Sequence, residues 1–200
     1  MGESNMSRRQ FLLSSLIGLG AAAAPACAKA VEGAQGATGA IFSGDLVEFA
    51  SQSDAIKEAW RLVEEEGVCR VIVRGGAIVS VERGRGIGPL MRLLDAQPQM
   101  LVDATVVDSV VGRAAAAVAV KGGVVKVLAR TASEGARDIL AAGNVPLEAK
   151  VVVPHIMNRD LTGVCPIEAA TCGFGSPDAI IVAARQTLDA LRKGAKEATA

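Results

Sequence analysis

The chain has 200 residues, 21 basic and 21 acidic side chains, and a hydrophobic fraction of 50%. Only 2% of the residues are aromatic and no basic stretch alternates with aromatic residues, which excludes an ordinary nucleic-acid-binding surface. The core must therefore be built from Val, Ala, Leu and Ile, and the length fits one domain with additional segments.

The N-terminus has the layout of a bacterial export signal. The pair Arg8-Arg9 precedes an apolar run from Phe11 to Ala24, and small residues follow. The order Ser-Arg-Arg-x-Phe-Leu is typical of a twin-arginine signal. The apolar run is shorter than the roughly 20 residues of a membrane span. We therefore expect residues 1–30 to be a signal peptide, the protein to act outside the cytoplasm, and no stable membrane span to remain after cleavage.

The next segments predict a linker, a helix and a hairpin. Residues 31–52 are rich in Gly, Ala and Ser, which is typical of a flexible linker. A helix is predicted over "SDAIKEAWRLVEEEG", with Ser53 as its cap, Gly67 as its stop and Trp60 on its apolar side. Two β-rich runs flank Gly75-Gly76, which indicates a hairpin. A short helix is predicted over "GIGPLMRLLDA".

A regular alternation of strands and helices follows. Strands are predicted at "MLVDATVVD", "VVKVLAR" and "LEAKVVVP", separated by helices "SVVGRAAAAVAVKGG" and "SEGARDILAAGN". Near-continuous valine runs indicate strands that are covered on both faces, and the alternation indicates a parallel sheet. A short helix at "CPIEAATCG" and a long amphipathic helix at "PDAIIVAARQTLDALRKGAKEA" complete the chain. The fold class is therefore α/β, with a mixed sheet and helices on both faces.

Three stretches resemble a known family. "VVDSVVGRAAAAV", "SEGARDILAAGNVPLEAKVVVP" and "NRDLTGVCPIE" are similar to an uncharacterised bacterial domain-of-unknown-function family with a cytidine-deaminase-like fold. The resemblance covers about residues 54–172. It implies a three-layer domain over residues 53–173, followed by a C-terminal amphipathic helix and tail at 174–200. Because the fold often oligomerises, it also implies that this helix packs on another copy, as in a homo-oligomer, or on its own sheet.

The resemblance does not extend to the deaminase metal site. Zinc deaminases bind the metal at two helix N-termini that carry His-x-Glu and Pro-Cys-x-x-Cys. The corresponding places here read Gly112-Arg113-Ala114 and Thr131-Ala132-Ser133-Glu134. With a single histidine and scattered thiols, we expect neither a zinc site nor zinc-dependent deamination, and the sequence indicates no other cofactor.

Ligands of open α/β sheets bind beyond the carboxyl ends of the strands. Helices predicted to begin at Ser109 and Ser133 would present free N–H groups there. Gly112 would allow a close approach, Arg113 would offer a planar fork to phosphate or carboxylate, and Asp108 ends the preceding strand. These residues predict a site for a small anionic ligand. In the alternative interpretation the serines are helix caps, the glycine is a packing site and the arginine is surface charge.

The loop "NRDLTGVCPIE" is the densest group of polar side chains. Asn158 could hold the loop by bonding its own backbone. Arg159 and Asp160 could pair with each other, or with Arg113 and Asp108. A polar loop is a stronger functional indication than a core residue, so Asn158 and Arg159 are also predicted ligand-binding residues.

Cys165 has two interpretations that the sequence leaves open. If Pro166 begins a helix, Cys165 is its N-cap and Glu168 completes a capping-box-like arrangement, which is a structural role. Glu168 is in addition a predicted ligand-binding residue. Alternatively the helix dipole activates the Cys165 thiol as a nucleophile, with His155, the single histidine, as its base.

The leading hypothesis is an exported small-ligand-binding domain without zinc or deaminase activity. Two alternatives stay open, and the residues do not decide whether the protein is an enzyme. One is a thiol or redox enzyme that uses Cys165. The other is an interaction or dimerisation module that uses the C-terminal helix.

Overall fold

A computed structural model describes residues 53–84 and 86–197. The strands are β1 (Arg70–Arg74), β2 (Ala77–Glu82), β3 (Thr105–Val111), β4 (Lys126–Ser133) and β5 (Leu147–Val153). The helices are α1 (Asp54–Glu65), α2 (Gly88–Ala96), α3 (Arg113–Lys121), α4 (Glu134–Ala142), α5 (Pro166–Thr171) and α6 (Pro177–Glu197), with a 3₁₀ turn at Pro98–Met100. The predicted signal peptide and linker lie outside the described residues.

The strands form a mixed sheet in the order β2-β1-β3-β4-β5. Strand β1 is antiparallel to both β2 and β3, and β3, β4 and β5 are mutually parallel. Gly75 and Gly76 make the hairpin turn with φ angles of 59° and 78°, a conformation that glycine adopts without steric cost. The predicted α/β class, with a hairpin plus parallel strands, is confirmed.

Apolar layers cover both faces of the sheet. On one face α1 buries Trp60 and Val63 against Val71 and Val107 of the strands, which confirms Trp60 as a core residue. On the other face α2, α3, α4 and α6 form the larger cluster. Residues Ala114–Ala119 of helix α3 are all buried, and all of them except Val118 are alanines. These small side chains let the helix lie close to the sheet. The resulting three layers place the start of α3 directly at the carboxyl end of β3.

Two predicted element boundaries are wrong. A helix starting at Ser109 was expected, but β3 continues to Val111 because its β-branched Val110 and Val111 pair with β4. Helix α3 begins only at Arg113, so Ser109 is a strand residue and not a helix cap. The strand predicted at "MLVDATVVD" likewise starts later, at Thr105, because the segment before it turns. Cys69 lies just before β1 and is half-buried.

The amphipathic character predicted for the C-terminal helix is confirmed. Helix α6 buries Ile180, Ile181 and Ala184, and it packs on α3 and α5 of its own domain. The remaining part of α6 is largely solvent-exposed. Within residues 53–84 and 86–197, no helix combines the length and the apolar character that crossing a membrane would require.

Candidate functional site

The N-terminus of α3 is occupied by a carboxylate of the chain itself. Gly112 precedes the helix in an extended conformation, and the Arg113 backbone N–H donates to Glu168 Oε2 at 2.8 Å. A Cβ atom on Gly112 would lie 2.5 Å from the same Oε2. The glycine therefore gives the Glu168 side chain room to reach the free N–H groups and the positive end of the helix dipole.

The capping box predicted within α5 does not form. Cys165 is the N-cap residue of α5, but its side chain makes no capping hydrogen bond. Its backbone N–H donates to the carbonyl of Ile156 at 2.8 Å. Glu168 instead extends to α3, which lies 55 residues earlier in the chain. The physical reason is that the Cys165 N–H already has a partner, whereas the N–H of Arg113 has none in its own helix.

A buried ion pair lies beside this carboxylate. Arg70 and Asp108 are directly opposite each other in the antiparallel pair of β1 and β3. Arg70 Nε donates to Asp108 Oδ2 at 2.6 Å and Nη2 approaches the same oxygen at 2.5 Å, while the Val110 N–H donates to Oδ1 at 3.0 Å. The two residues are only 3% and 2% exposed. The partner of Asp108 is therefore Arg70, and the alternative pairing of Asp108 with Arg159 does not form.

The burial of this pair changes the pKa of the Asp108 carboxyl. Burial raises the pKa of the Asp108 carboxyl above its ordinary value, and the Arg70 guanidinium and the Val110 and Ser109 N–H groups oppose that rise. Asp108 tolerates burial because Arg70 and the Val110 N–H satisfy its two oxygens.

A cavity of about 110 Å³ opens between β1, β3, the start of α3 and α5. Its polar members are Arg70, Cys165 and Glu168, and Gly86 and Gly112 complete its backbone lining. Its apolar members are Ile87, Val110, Ala114, Ala115, Ile156 and Ile167. Mostly apolar walls with a few convergent polar groups are typical of small-molecule sites.

Two buried polar atoms, on side chains that line this cavity, have no hydrogen-bond partner. They are Nη1 of Arg70 and Oε1 of Glu168, in side chains that are 3% and 4% exposed. An unsatisfied buried polar group costs about 1–3 kcal/mol, and more when it is charged. Buried groups of this kind are rare in native structures, and each therefore calls for a specific explanation.

Arg113 directs its guanidinium away from the cavity. Its Nε donates to the carbonyl of Thr171 at 3.0 Å and its Nη2 to that of Phe174 at 2.5 Å, so it caps the C-terminal end of α5. Its side chain crosses Gly135 of α4, where an added Cβ would lie 2.6 Å from Nη1. Arg113 thus joins the starts of α3 and α4 to α5, and it does not line the cavity.

Ser133 and Asn158 make the local bonds that their sequence positions predict. The Ser133 hydroxyl accepts from the Ala136 N–H at 3.1 Å, which confirms it as the α4 cap. Asn158 Oδ1 accepts from the Thr162 N–H at 2.9 Å and holds a turn closed by the bridge between Met157 and Val164. Neither residue lines the cavity.

Of the two proposed catalytic residues, only Cys165 reaches the cavity. Cys165 is half-buried, and it and Cys69 are both free thiols, so no disulfide joins them. Within the part of the chain that the structure describes, His155 makes no hydrogen bond to Cys165 and does not line the cavity. Arg159 is exposed on the turn after β5.

The structure therefore sorts the predicted site residues into two groups. Gly112, Cys165 and Glu168 line the cavity. Asp108 does not line it but binds Arg70, which does. The others lie away from it, namely Arg113, Ser133, His155, Asn158 and Arg159. Arg70 was not predicted, although a charged residue in the apolar strand "CRVIVR" was a signal that it has a buried partner.

The residues at the two helix starts do not fit zinc. Gly112 and Arg113 precede and begin α3, and Ser133 and Glu134 precede and begin α4, so the residues of the two helix starts carry no thiol or imidazole. Among residues 53–84 and 86–197, no cluster of three or more His, Cys, Asp or Glu side chains could hold a metal ion.

Comparison with known proteins identifies relatives but no activity. A family model described as "Domain of unknown function (DUF1893)" matches residues 58–188. The solved structure of a DUF1893 family protein, TM1506 from Thermotoga maritima, is similar with a TM-score of 0.58 and 19% identity, covering 66% of this chain and 88% of that one. RibD from Acinetobacter baumannii gives a TM-score of 0.35 and 19% identity, covering 63% of this chain and 39% of that one. No curated protein matches. At 19% identity, the Thermotoga structure shows a shared fold alone.

Proposed function

The chain belongs to the DUF1893 family, a family of unknown function, and from its own site we propose that it is a small-molecule-binding domain of deaminase-like fold without zinc or deaminase activity. The observation that carries this proposal is that two side chains lining one cavity each carry an unpartnered charged atom, Arg70 Nη1 and Glu168 Oε1. A bound molecule would supply both missing hydrogen bonds and would remove the cost of leaving these atoms unsatisfied.

The size of the cavity limits the part of the ligand that it encloses. An apolar cavity of about 150 Å³ holds a benzene molecule, so a cavity of about 110 Å³ fits a group of roughly four or five heavy atoms. Gly86 and Val110 at its lining are exposed, which leaves room for a larger ligand to extend into solvent. The anion expected from the sequence is disfavoured, because the Glu168 carboxylate already occupies the N-terminus of α3.

Filling the cavity is expected to remove the bound molecule. Native mass spectrometry of the protein from its exporting host should show a retained small molecule, and Ala115→Val, which adds two methyl groups to the cavity wall, should abolish it. Ala190→Val is the matched control, because it places the same residue on the exposed side of α6. Retention of the molecule by Ala115→Val, or its absence from the unaltered protein, would contradict the proposal.

A second candidate function is thiol chemistry at Cys165. It is favoured by one observation, that this free thiol lines the same cavity as the unpartnered Glu168 carboxylate. Limited alkylation of the folded protein with iodoacetamide, followed by peptide mass spectrometry, should then label Cys165 at least tenfold faster than Cys69. Equal labelling of the two half-buried thiols would argue against a reactive Cys165 and would leave the binding function in place.

We also propose that the protein is exported through the twin-arginine route. Because the translocase reads the arginine pair, Arg8→Lys combined with Arg9→Lys is expected to abolish export and to leave the protein in the cytoplasmic fraction. Cell fractionation with immunoblotting measures this, with the exposed Arg137→Lys as the matched control. Unchanged export of the double variant would rule out this signal.

A further inference from the structure

We infer that the cavity recognises an uncharged group in which an N–H donor stands beside a carbonyl acceptor, as in an amide, a urea or a cyclic imide. The inference rests on the proposed function and adds the chemical class of the ligand. It follows from the hydrogen bonds that Arg70 and Glu168 already make and from those that each still lacks.

Glu168 offers one acceptor to the cavity. Its Oε2 atom is engaged by the Arg113 N–H at 2.8 Å, and its Oε1 atom is buried without a donor. An ionised carboxylate can only accept hydrogen bonds, so the group that completes Glu168 must carry an N–H or an O–H.

Arg70 offers donors only. Its Nε and Nη2 atoms are directed at Asp108, which leaves Nη1 without an acceptor. A guanidinium cannot accept a hydrogen bond, so the group that completes Arg70 must carry an acceptor oxygen or nitrogen. A ligand that satisfies both residues therefore combines an acceptor and a donor within the few heavy atoms that the cavity holds.

The charges at the cavity disfavour an ionic ligand. A cation that met Glu168 would also lie near Arg70, and an anion that met Arg70 would also lie near Glu168. At a separation of 4 Å, each such repulsion would be about 4 kcal/mol at the effective dielectric of a protein site, and it would offset the attraction to the oppositely charged residue. An uncharged donor and acceptor pair gains both hydrogen bonds without either repulsion.

Water is the simplest molecule with a donor and an acceptor, but it fits the whole cavity poorly. One water occupies about 30 Å³ of liquid volume, and the cavity of about 110 Å³ is lined mainly by Ile, Val and Ala side chains. Additional waters would bond to one another but would gain no hydrogen bond from these apolar walls. A small amide would instead place its polar edge on Arg70 and Glu168 and its apolar part on the walls.

Titration of the full-length chain with small probe molecules tests the proposed chemical class of the ligand. The probes are acetamide and urea, acetone as an acceptor without a donor, acetate as an anion, and methylammonium as a cation. Binding is followed by NMR through the backbone N–H signals of Ala115 and Cys165, which line the cavity, and of Arg113, which donates to Glu168. Acetamide or urea is expected to bind at least tenfold more tightly than acetone, acetate or methylammonium.

Glu168→Gln provides an isosteric test of the acceptor. Its amide oxygen can still accept from the Arg113 N–H, and its NH₂ group then replaces Oε1 as a donor at the cavity. The variant is expected to fold, to bind acetamide at least tenfold more weakly, and to lose the preference for acetamide over acetone. Glu197→Gln, at an exposed position of α6, is the matched control and should leave both probes unaffected.

The outcomes separate this inference from the function on which it rests. Tighter binding of acetate, methylammonium or acetone at these signals would overturn the amide class while the small-molecule function stands. A Glu168→Gln variant that folds and binds acetamide as before would also overturn the class. If no probe shifts the three signals and native mass spectrometry finds no retained molecule, both the class and the proposed function fail, and the cavity holds water only.

Discussion

Arg70→Met is expected to lower the free energy of unfolding by about 3–5 kcal/mol, because it leaves the Asp108 carboxylate buried without a counter-charge. Asp108 is 2% exposed and Arg70 Nε donates to it at 2.6 Å, so water cannot replace the lost guanidinium. Urea unfolding followed by circular dichroism measures the change.

Two further variants identify the cause of this loss. Arg70→Met with Asp108→Asn removes both charges and keeps an oxygen for the Val110 N–H, so it is expected to recover at least half of the stability. Arg185→Met breaks the exposed pair with Asp95 and is expected to cost no more than about 1 kcal/mol. Equal costs for Arg70→Met and Arg185→Met would show that the buried pair has no special role.

Gly112→Ala is expected to expel the Glu168 carboxylate from the start of α3. The new Cβ would lie 2.5 Å from Oε2 and 3.3 Å from Ile156 Cγ1. Gly112 has φ −98° and ψ −178°, which any residue adopts, so the effect is a steric one and not backbone strain. We expect a loss of about 1–3 kcal/mol in unfolding free energy, as overpacking usually costs, and loss of acetamide binding.

Two control variants test whether the effect of Gly112→Ala arises from its contact with Glu168. At Gly175 an added Cβ meets no heavy atom within 4 Å, so Gly175→Ala is expected to change neither stability nor binding. In a Glu168→Ala background the clash is absent, and Gly112→Ala should then cost much less than it does alone. Full additivity of the two substitutions in urea unfolding would contradict a direct contact between Gly112 and Glu168.

The architecture could be predicted because its signals are local. Valine runs indicate covered strands, Gly75-Gly76 indicates the hairpin, and Ser133 followed by an apolar pattern indicates the start of a helix. The start of α3 was misplaced at Ser109, because alanine-rich sequence favours a helix whereas pairing with β4 extends the strand to Val111. In that case a tertiary contact overrides local propensity.

The site depends on contacts that local patterns do not contain. Arg70 meets Asp108 across 38 residues, and Glu168 meets Arg113 across 55 residues. The register of β1 against β3 fixes the first contact, and the docking of α5 on α3 fixes the second. The sequence interpretation paired Glu168 with its own helix start and offered Arg159 as a partner of Asp108, and it missed Arg70.

A high-resolution crystal structure of the protein soaked with acetamide shows whether Arg70 and Glu168 together hold one small uncharged molecule. We expect an acetamide oxygen about 2.7–3.2 Å from Arg70 Nη1 and the acetamide nitrogen at a similar distance from Glu168 Oε1. A cavity that contains only water under these conditions, or an Arg70 Nη1 atom that is already bonded to the protein, would overturn this binding mode.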